Sequence, residues 1–349
     1  MGMRRKQQIY HNKTVVQILD EVFGPYSGLG QPAVEKRLTG SYPVLEYTVQ
    51  YRESDLNFVC RMMERFGISY HFGHDDGSHT LVLTDNVTQH DDVPGGTRKY
   101  QHVADGHRAK DAEHFWSMQP SQRLTTGKIR LTDYNFKTPT AAMETDRMGE
   151  AAHEHGQIES YDYPGDYLKQ KPGQDVAHLR MMQERGQDHR HRAVGDVTSL
   201  RPGLTVKVAG DKIKGVTDPT LCLSAKHTLS TNAYASGNGS GEPTYEGSYV
   251  LLPVTSPLAP ERKTDIPVVH GPQTAVVVGE GEIDCDEYGR ILVHFHWDLD
   301  KRYSMRCRVS QNWASKGWGG MVIPRIGMEV VVEFLEGDPD KPLVTGCVY

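Results

Sequence analysis

The chain has 349 residues, with 39 Lys and Arg against 45 Asp and Glu and a formal net charge of −6. That balance disfavours a general polyanion binder, which needs a basic face, so no nucleic-acid partner is expected. No apolar run reaches the ~18 residues of a membrane helix, so no membrane-spanning segment is expected either. With 35 Gly and 19 Pro the composition points to a turn-rich, mainly β protein of two or three domains.

The N-terminus, Met1-Gly2-Met3-Arg4-Arg5-Lys6, is basic but lacks an apolar signal core. The five cysteines (Cys60, Cys222, Cys285, Cys307, Cys347) are scattered and form no Cys-x-x-Cys pair. Both features fit a chain folded in the reducing cytoplasm. A helix is expected over 14–23, where Thr14 and Gln17 make a capping box and Val15, Ile18, Leu19 and Val22 form one stripe. Alternation of Leu45, Tyr47, Val49 and Tyr51 predicts a strand over 42–51. A second helix starts at Ser54 as N-cap, carries Leu56, Val59, Met63 and Phe66, and ends at Gly67.

Segments 68–72 and 79–84 flank Asp75-Asp76-Gly77 as a hairpin, and 128–136 reads as a strand, while 86–125 gives no clear pattern. A third helix is expected over 174–185 with Val176, Leu179 and Met182 on its buried face, then strands at 204–208, 221–226 and 247–252. The Ser/Gly/Asn run 236–241 has nothing to bury and reads as a loop. Five prolines in 253–272 mark an extended connector. This divides the chain into 1–252, a connector 253–273, and 274–349. In the last part strands are expected at 274–278, 291–297, 305–310, 320–323, 329–335 and 343–348, with turns at 287–290 and 337–340. That pattern fits a small OB-fold-like barrel.

Three His-x-His pairs (His153/His155, His189/His191, His294/His296) could each offer two metal ligands on a strand, but no third or fourth ligand accompanies them in sequence. No metal and no cofactor is expected. The acidic pairs Asp75/Asp76, Asp91/Asp92, Asp284/Asp286 with Glu287, and Asp338/Asp340 lie in or near turn-like stretches, where Asp bonds its own backbone. No Gly-x-Ser-x-Gly elbow and no phosphate loop occurs, so no catalytic residue is expected. Residues 276–349 hold twelve acidic and eight basic residues together with Trp297, Trp313 and Trp318. Aromatics without a cationic surplus favour core or protein contact over phosphate binding.

Several ordered motifs carry a family resemblance. Tyr51-Arg52-Glu53-Ser54-Asp55-Leu56-Asn57-Phe58, continuing through Gly67 and Tyr70 to Phe72, resembles a signature of VgrG proteins, the spikes of the type VI secretion system, also called Rhs-element Vgr proteins. A second signature is matched by Asp286-Glu287-Tyr288-Gly289-Arg290 with Val293-His294-Phe295-His296-Trp297-Asp298. Further matches are Trp313-Ala314-Ser315-Lys316-Gly317-Trp318-Gly319, Ile323-Pro324-Arg325-Ile326-Gly327, and 331–339 with Phe334, Gly337, Asp338 and Pro339. Residues 161–165 and 271–275 match too, so the resemblance runs from about residue 12 to 349.

The resemblance implies a mainly β chain, with an α+β hub of phage-tail-hub-like barrels in 1–252 and an OB-fold domain in 274–349. It implies a homotrimer docked on the hexameric Hcp tube, with a C-terminal needle capped by a PAAR-repeat protein and carrying effectors. Such a protein is assembled in the cytoplasm and secreted by the apparatus without a signal peptide. Family chains carry more β-structure before the equivalent of residue 12 and a needle after 349, so this chain is expected to be a span shortened at both ends. The motif residues are read as architecture, with Gly289, Gly319 and Gly327 at turns or close approaches and Ile291, Val293, Phe295 and Trp297 filling the barrel. The alternatives are a contractile phage or prophage baseplate hub, a cell-wall hydrolase, and a metal-dependent enzyme on the His pairs.

Overall fold

The computed structural model describes residues 1–29, 33–102, 112–149, 157–210, 213–216, 219–230 and 244–349. In chain order, β1 (Arg5–Thr14) runs into α1 (Val15–Phe23), followed by β2 (Ala33–Arg37), β3 (Val44–Ser54) and α2 (Asp55–Arg65). Next come β4 (Ser69–Asp75), β5 (Ser78–Thr84), β6 (Asp91–Tyr100), β7 (His114–Gln122), β8 (Lys128–Leu131), β9 (Thr145–Met148) and β10 (Glu159–Asp162). Then α3 (Gln170–Arg185) precedes β11 (His189–Gly195), β12 (Leu204–Gly210), β13 (Thr220–Ser230) and β14 (Thr244–Pro253). The C-terminal part holds β15 (Gln273–Val278), β16 (Leu292–Phe295), β17 (Arg308–Val309), β18 (Ala314–Ser315), β19 (Trp318–Gly319), β20 (Glu329–Phe334) and β21 (Pro342–Cys347).

These elements form two compact units that do not follow chain order. One comprises Met1–Gly30, Ser41–Phe66 and Lys263–Tyr349; the other comprises Gln31–Gly40 and Gly67–Arg262. The division within the proline-rich segment therefore falls between residues 262 and 263.

In the first unit β1 and β3 pair antiparallel, with Ile9 opposite Val49 and His11 opposite Tyr47. Thr14 and Gln17 close a reciprocal capping box at the start of α1, which buries Val15, Ile18, Leu19 and Val22. The C-terminal sheet runs β16-β15-β20-β21-β17. Paired backbone bonds between Ile291 and Cys307, at 3.0 and 2.7 Å, join its two ends and curl it into the OB barrel. Alternation along the strands fills that barrel with Val277, Val293, Phe295, Val330, Val332 and Val344.

The second unit is built around a closed barrel in the order β11-β14-β13-β12-β6-β7. Phe115, Met118, Val206, Tyr249 and Leu251 fill it. A sheet ordered β2-β5-β4 and another ordered β10-β8-β9 complete the unit, the latter covered by α3.

Several expectations needed correction. The segment 320–323 is not a strand; the chain instead folds back at Gly317, and Ala314–Ser315 pair with Trp318–Gly319. The strand expected over 128–136 stops at Leu131. Helix α3 starts four residues early, at Gln170, with Pro172 tolerated in its first turn. Its buried line is Gly173, Ala177 and Met181, spaced by four, because Gly173 lets the Tyr167 ring approach where a Cβ would lie 2.6 Å from it. Strands β1, β2, β6, β7, β9, β10 and β11 had no expected counterpart. The loop expected at 236–241 and the pair His153/His155 lie outside the described residues.

Candidate functional site

Groups capable of chemistry are dispersed. Among the described residues no cluster of three or more His, Cys, Asp or Glu could hold a metal ion. His189 and His191 do share a face of β11, with ring centroids 4.8 Å apart. His294 and His296 part ways: His294 Nε2 bonds the Asp298 carbonyl at 2.9 Å, and His296 lies beside Thr274. Burial pushes the Cys222 and Cys307 thiols up to about 12, which keeps them protonated and poorly nucleophilic. A cavity of about 410 Å³ beside α3 has Ile129 and Leu131 in its wall next to Asp162 and Arg180, an ion pair at 3.4 Å.

The first signature builds the start of α2. Ser54 Oγ accepts from Asn57 N and caps the helix. Glu53 and Arg61 form a buried bidentate pair, with Arg61 Nη2 2.6 Å from Glu53 Oε1. Asp55, 1% exposed, accepts from Tyr26 OH at 2.7 Å and Gln50 Nε2 at 2.8 Å. Phe58 stacks on Tyr10 at 5.3 Å, while Gly67 ends the helix with φ of +71°. Leu56 and Tyr70 point into solvent.

The second signature builds the OB barrel and its mount. Asp286 accepts from the backbone of Tyr288 and Arg290 and from Arg290 Nε at 2.7 Å, folding the turn around Gly289. Phe295 stacks between Trp297 and Phe334. Trp297 meets Tyr51 edge-on, and Gln273 bridges them: its Nε2 donates to Tyr51 OH at 2.8 Å and its Oε1 accepts from Trp297 Nε1 at 2.9 Å. At Gly337, φ is +70° and a Cβ would lie 2.7 Å from Val268 Cγ1, so the Asp338-Pro339 turn needs glycine there. Pro324 and Pro339 are buried; Gly327 turns at φ of +87°, and Gly319 sits where a Cβ would strike the Trp313 carbonyl at 2.4 Å. Trp313, Trp318 and Arg325 are exposed.

The two signatures meet at one seam. Asp340 accepts from Thr48 Oγ1 and from Val49 N, each at 2.7 Å. Arg61 Nη2 donates to the Val49 carbonyl at 2.8 Å, so both outward backbone groups of that residue on β3 are satisfied by side chains. Arg302 Nη1 donates to the Ile9 carbonyl at 3.2 Å and to Glu21 at 2.7 Å. His11 Nε2 lies 3.0 Å from the carbonyls of Arg302 and Tyr303. Lys301 and Tyr303 flank this arginine with φ of 51° and 62°, a left-handed backbone held by those bonds.

Beneath them Ile9, Tyr47, Val49, Tyr51 and Val269 pack with Trp297, Met305 and Phe334. Burial and the adjacent Asp338 push the Asp340 carboxyl up to about 6. Sequence reasoning took Asp340 for a turn residue and passed over Thr48, His11 and Arg302. No local pattern marks a pair 291 positions apart. The arrangement joins two pieces of chain through an apolar seam ringed by hydrogen bonds.

Comparison with known proteins fits that geometry. The phage tail baseplate hub (GPD) family matches residues 1–233, and the type VI secretion system/phage-baseplate injector OB domain matches 273–349. The chain belongs to the phage tail baseplate hub family. It is 38% identical to the type VI secretion system spike protein VgrG1a of Pseudomonas aeruginosa over 98% of this chain and 54% of that one. It is 32% identical to the actin cross-linking toxin VgrG1 of Vibrio cholerae, covering all of this chain and 32% of the toxin. The chain thus spans about half or less of the length of these relatives.

Among solved structures, the E. coli c3393 protein superposes with a TM-score of 0.62 at 19% identity, covering 99% of this chain and 75% of that one. It is described as a type VI secretion component similar to the T4 bacteriophage tail proteins gp27 and gp5. A chain of a Francisella PdpA-VgrG complex gives 0.61 at 11% identity, covering all of this chain and 60% of that one. These likenesses show the fold: a tail-hub-like, mainly β chain with a terminal OB domain.

Proposed function

We propose that this chain is a structural spike component of the type VI secretion system, acting through shape and symmetry with no catalytic residues of its own. Residues 1–252 act as the hub region, 253–273 as connector and 274–349 as the OB base of the spike. The observation that carries the reading is the match to VgrG spike proteins over 98% of the chain, spanning both hub and OB parts. The seam supports it, because a barrel welded to hub strands transmits an axial push without a flexible joint. In this role the chain is a homotrimer that docks on the hexameric Hcp tube. A needle, a PAAR-repeat protein and effectors follow in the complete spike, which leaves the cell through the apparatus. Among the described residues no helix is long and apolar enough to cross a membrane.

Light scattering coupled to size exclusion tests the symmetry. A trimer is expected, and a strict monomer at the highest soluble concentration contradicts the reading. The family names cover phage baseplates too. Neighbouring sheath, ATPase and membrane-complex genes are expected; capsid and terminase genes would assign the chain to a phage tail.

A further inference from the structure

Residues 311–322 form an arm that the chain itself does not cover. Ala314 pairs with Gly319 and Ser315 with Trp318. Below them Gly320 N donates to the Trp313 carbonyl at 3.0 Å, and the Gln311 amide clasps both backbone groups of Val322 at 2.9 and 3.0 Å. Every residue from 312 to 322 is exposed. Yet the arm carries Trp313 at 67%, Trp318 at 57%, Met321 at 69% and Val322 at 71% exposure, with the two indoles edge-to-face at 5.5 Å. A two-stranded ribbon is marginal in water unless a further surface covers it. With up to ~250 Å² per large aromatic, these four side chains offer on the order of 500 Å² of apolar surface, as large as the biggest patch on an ordinary monomer.

The arm's chemistry names its partner. Its sole charge is Lys316, at the tip. The same unit presents a loop, 279–288, whose exposed residues include Glu280, Glu282 and Glu287 interspersed with Ile283 and Tyr288. Glu282, Asp284 and Asp286 are paired within the chain with Arg325, Arg306 and Arg290. But an apolar arm with a cationic tip and an acidic loop that also exposes Glu280, Glu287, Ile283 and Tyr288 are complementary, and one chain supplies both. Such a head-to-tail contact between unlike faces closes a ring of identical subunits when the rotation between copies closes, and otherwise builds an open filament. In such a ring each arm meets one loop, so each contact draws on the order of 500 Å² from the arm, toward the low end of specific interfaces.

We propose that the 311–322 arm of one copy packs its Trp313–Trp318 pair on the 279–288 loop of a second copy of this chain. The contact rests on the trimer reading above, and its test separates the two. Light scattering and sedimentation are measured for the parent chain, for Trp313→Ser with Trp318→Ser, and for Lys316→Glu, with melting temperature as a folding control. A parent trimer is expected, with the double serine variant monomeric and Lys316→Glu shifting the dissociation midpoint at least tenfold at unchanged melting temperature. Glu280→Lys with Glu287→Lys should weaken association likewise, and combining these with Lys316→Glu should restore it. A parent trimer indifferent to the tryptophan and charge variants overturns the arm contact and leaves the trimer reading standing. A monomeric parent overturns both.

Discussion

The six-stranded barrel fills its interior from its own strands, with Phe115 and Met118 from β7, Val206 from β12 and Leu251 from β14. The OB barrel fills its centre likewise, with Val277, Val293, Phe295 and Val332. Its Trp297, Met305 and Phe334, however, are covered by Ile9, Tyr47, Val49 and Tyr51, from strands at the other end of the chain. The first barrel is complete in 91–253, whereas the second borrows a wall. The difference teaches that the OB domain is contiguous in sequence but not in packing. Damage to its core should therefore reach β1 and β3.

The largest effect tests this directly. Phe295→Ala removes a fully buried ring stacked on two others and should cost about 3–5 kcal/mol. Hydrogen exchange protection should fall in β1 and β3 along with the OB strands. Phe115→Ala, equally buried, should cost a similar amount in the other barrel and leave β1 and β3 protected.

A smaller effect is expected at the seam. Asp340→Ala leaves the Val49 N–H and the Thr48 hydroxyl without their acceptor, at about 1–3 kcal/mol by chemical denaturation.

The two units should also answer pH with opposite sign. Asp340 titrates at about 6 when folded, above the ~3.9 of an unfolded Asp. The fold favours its protonated form, so its contribution is fully present below pH ~4 and is lost as pH rises through about 6. Asp340→Asn should flatten the stability profile over that window. In the other unit burial pushes Glu113 up, but bonds from Ser199, Thr198 and Arg98 outweigh it and hold the carboxyl at about 2. That contribution is present above the ordinary Glu value and is lost as pH falls toward 2, so Glu113→Gln should remove acid sensitivity below pH ~4.5. The smallest effect belongs to a local device: Thr14→Ala breaks the capping box of α1 and should cost ~1 kcal/mol in thermal melts.

The parts legible in the sequence are those whose causes are local. Thr14 and Ser54 cap the helices expected of them, and Ile291, Val293 and Phe295 point into the barrel as their alternation requires. Strands β6 and β7 were illegible because each is held by long-range pairing, β6 in parallel with β12 and β7 against β11. β6 also contains Pro94, Gly95 and Gly96, which weaken any strand pattern. Asp340 looked like an ordinary turn acid because the donors it accepts from, Thr48 and Val49, lie on β3, and the arm at 311–322 hid its pairing behind four glycine and serine positions. Motif membership did not separate inner from outer roles: Glu53 and Asp55 are buried in bonds, while Leu56, Trp313 and Trp318 face solvent.

Native-state hydrogen exchange on the parent chain and on Phe295→Ala tests the shared unit most directly. The backbone amides of residues 8–11 and 48–51 should open with the same free energy as those of Val293 and Val332, and all should lose protection together in the variant. If the variant frees the OB strands while residues 8–11 and 48–51 keep parental protection, the barrel and the hub strands are separate and the seam does not join them.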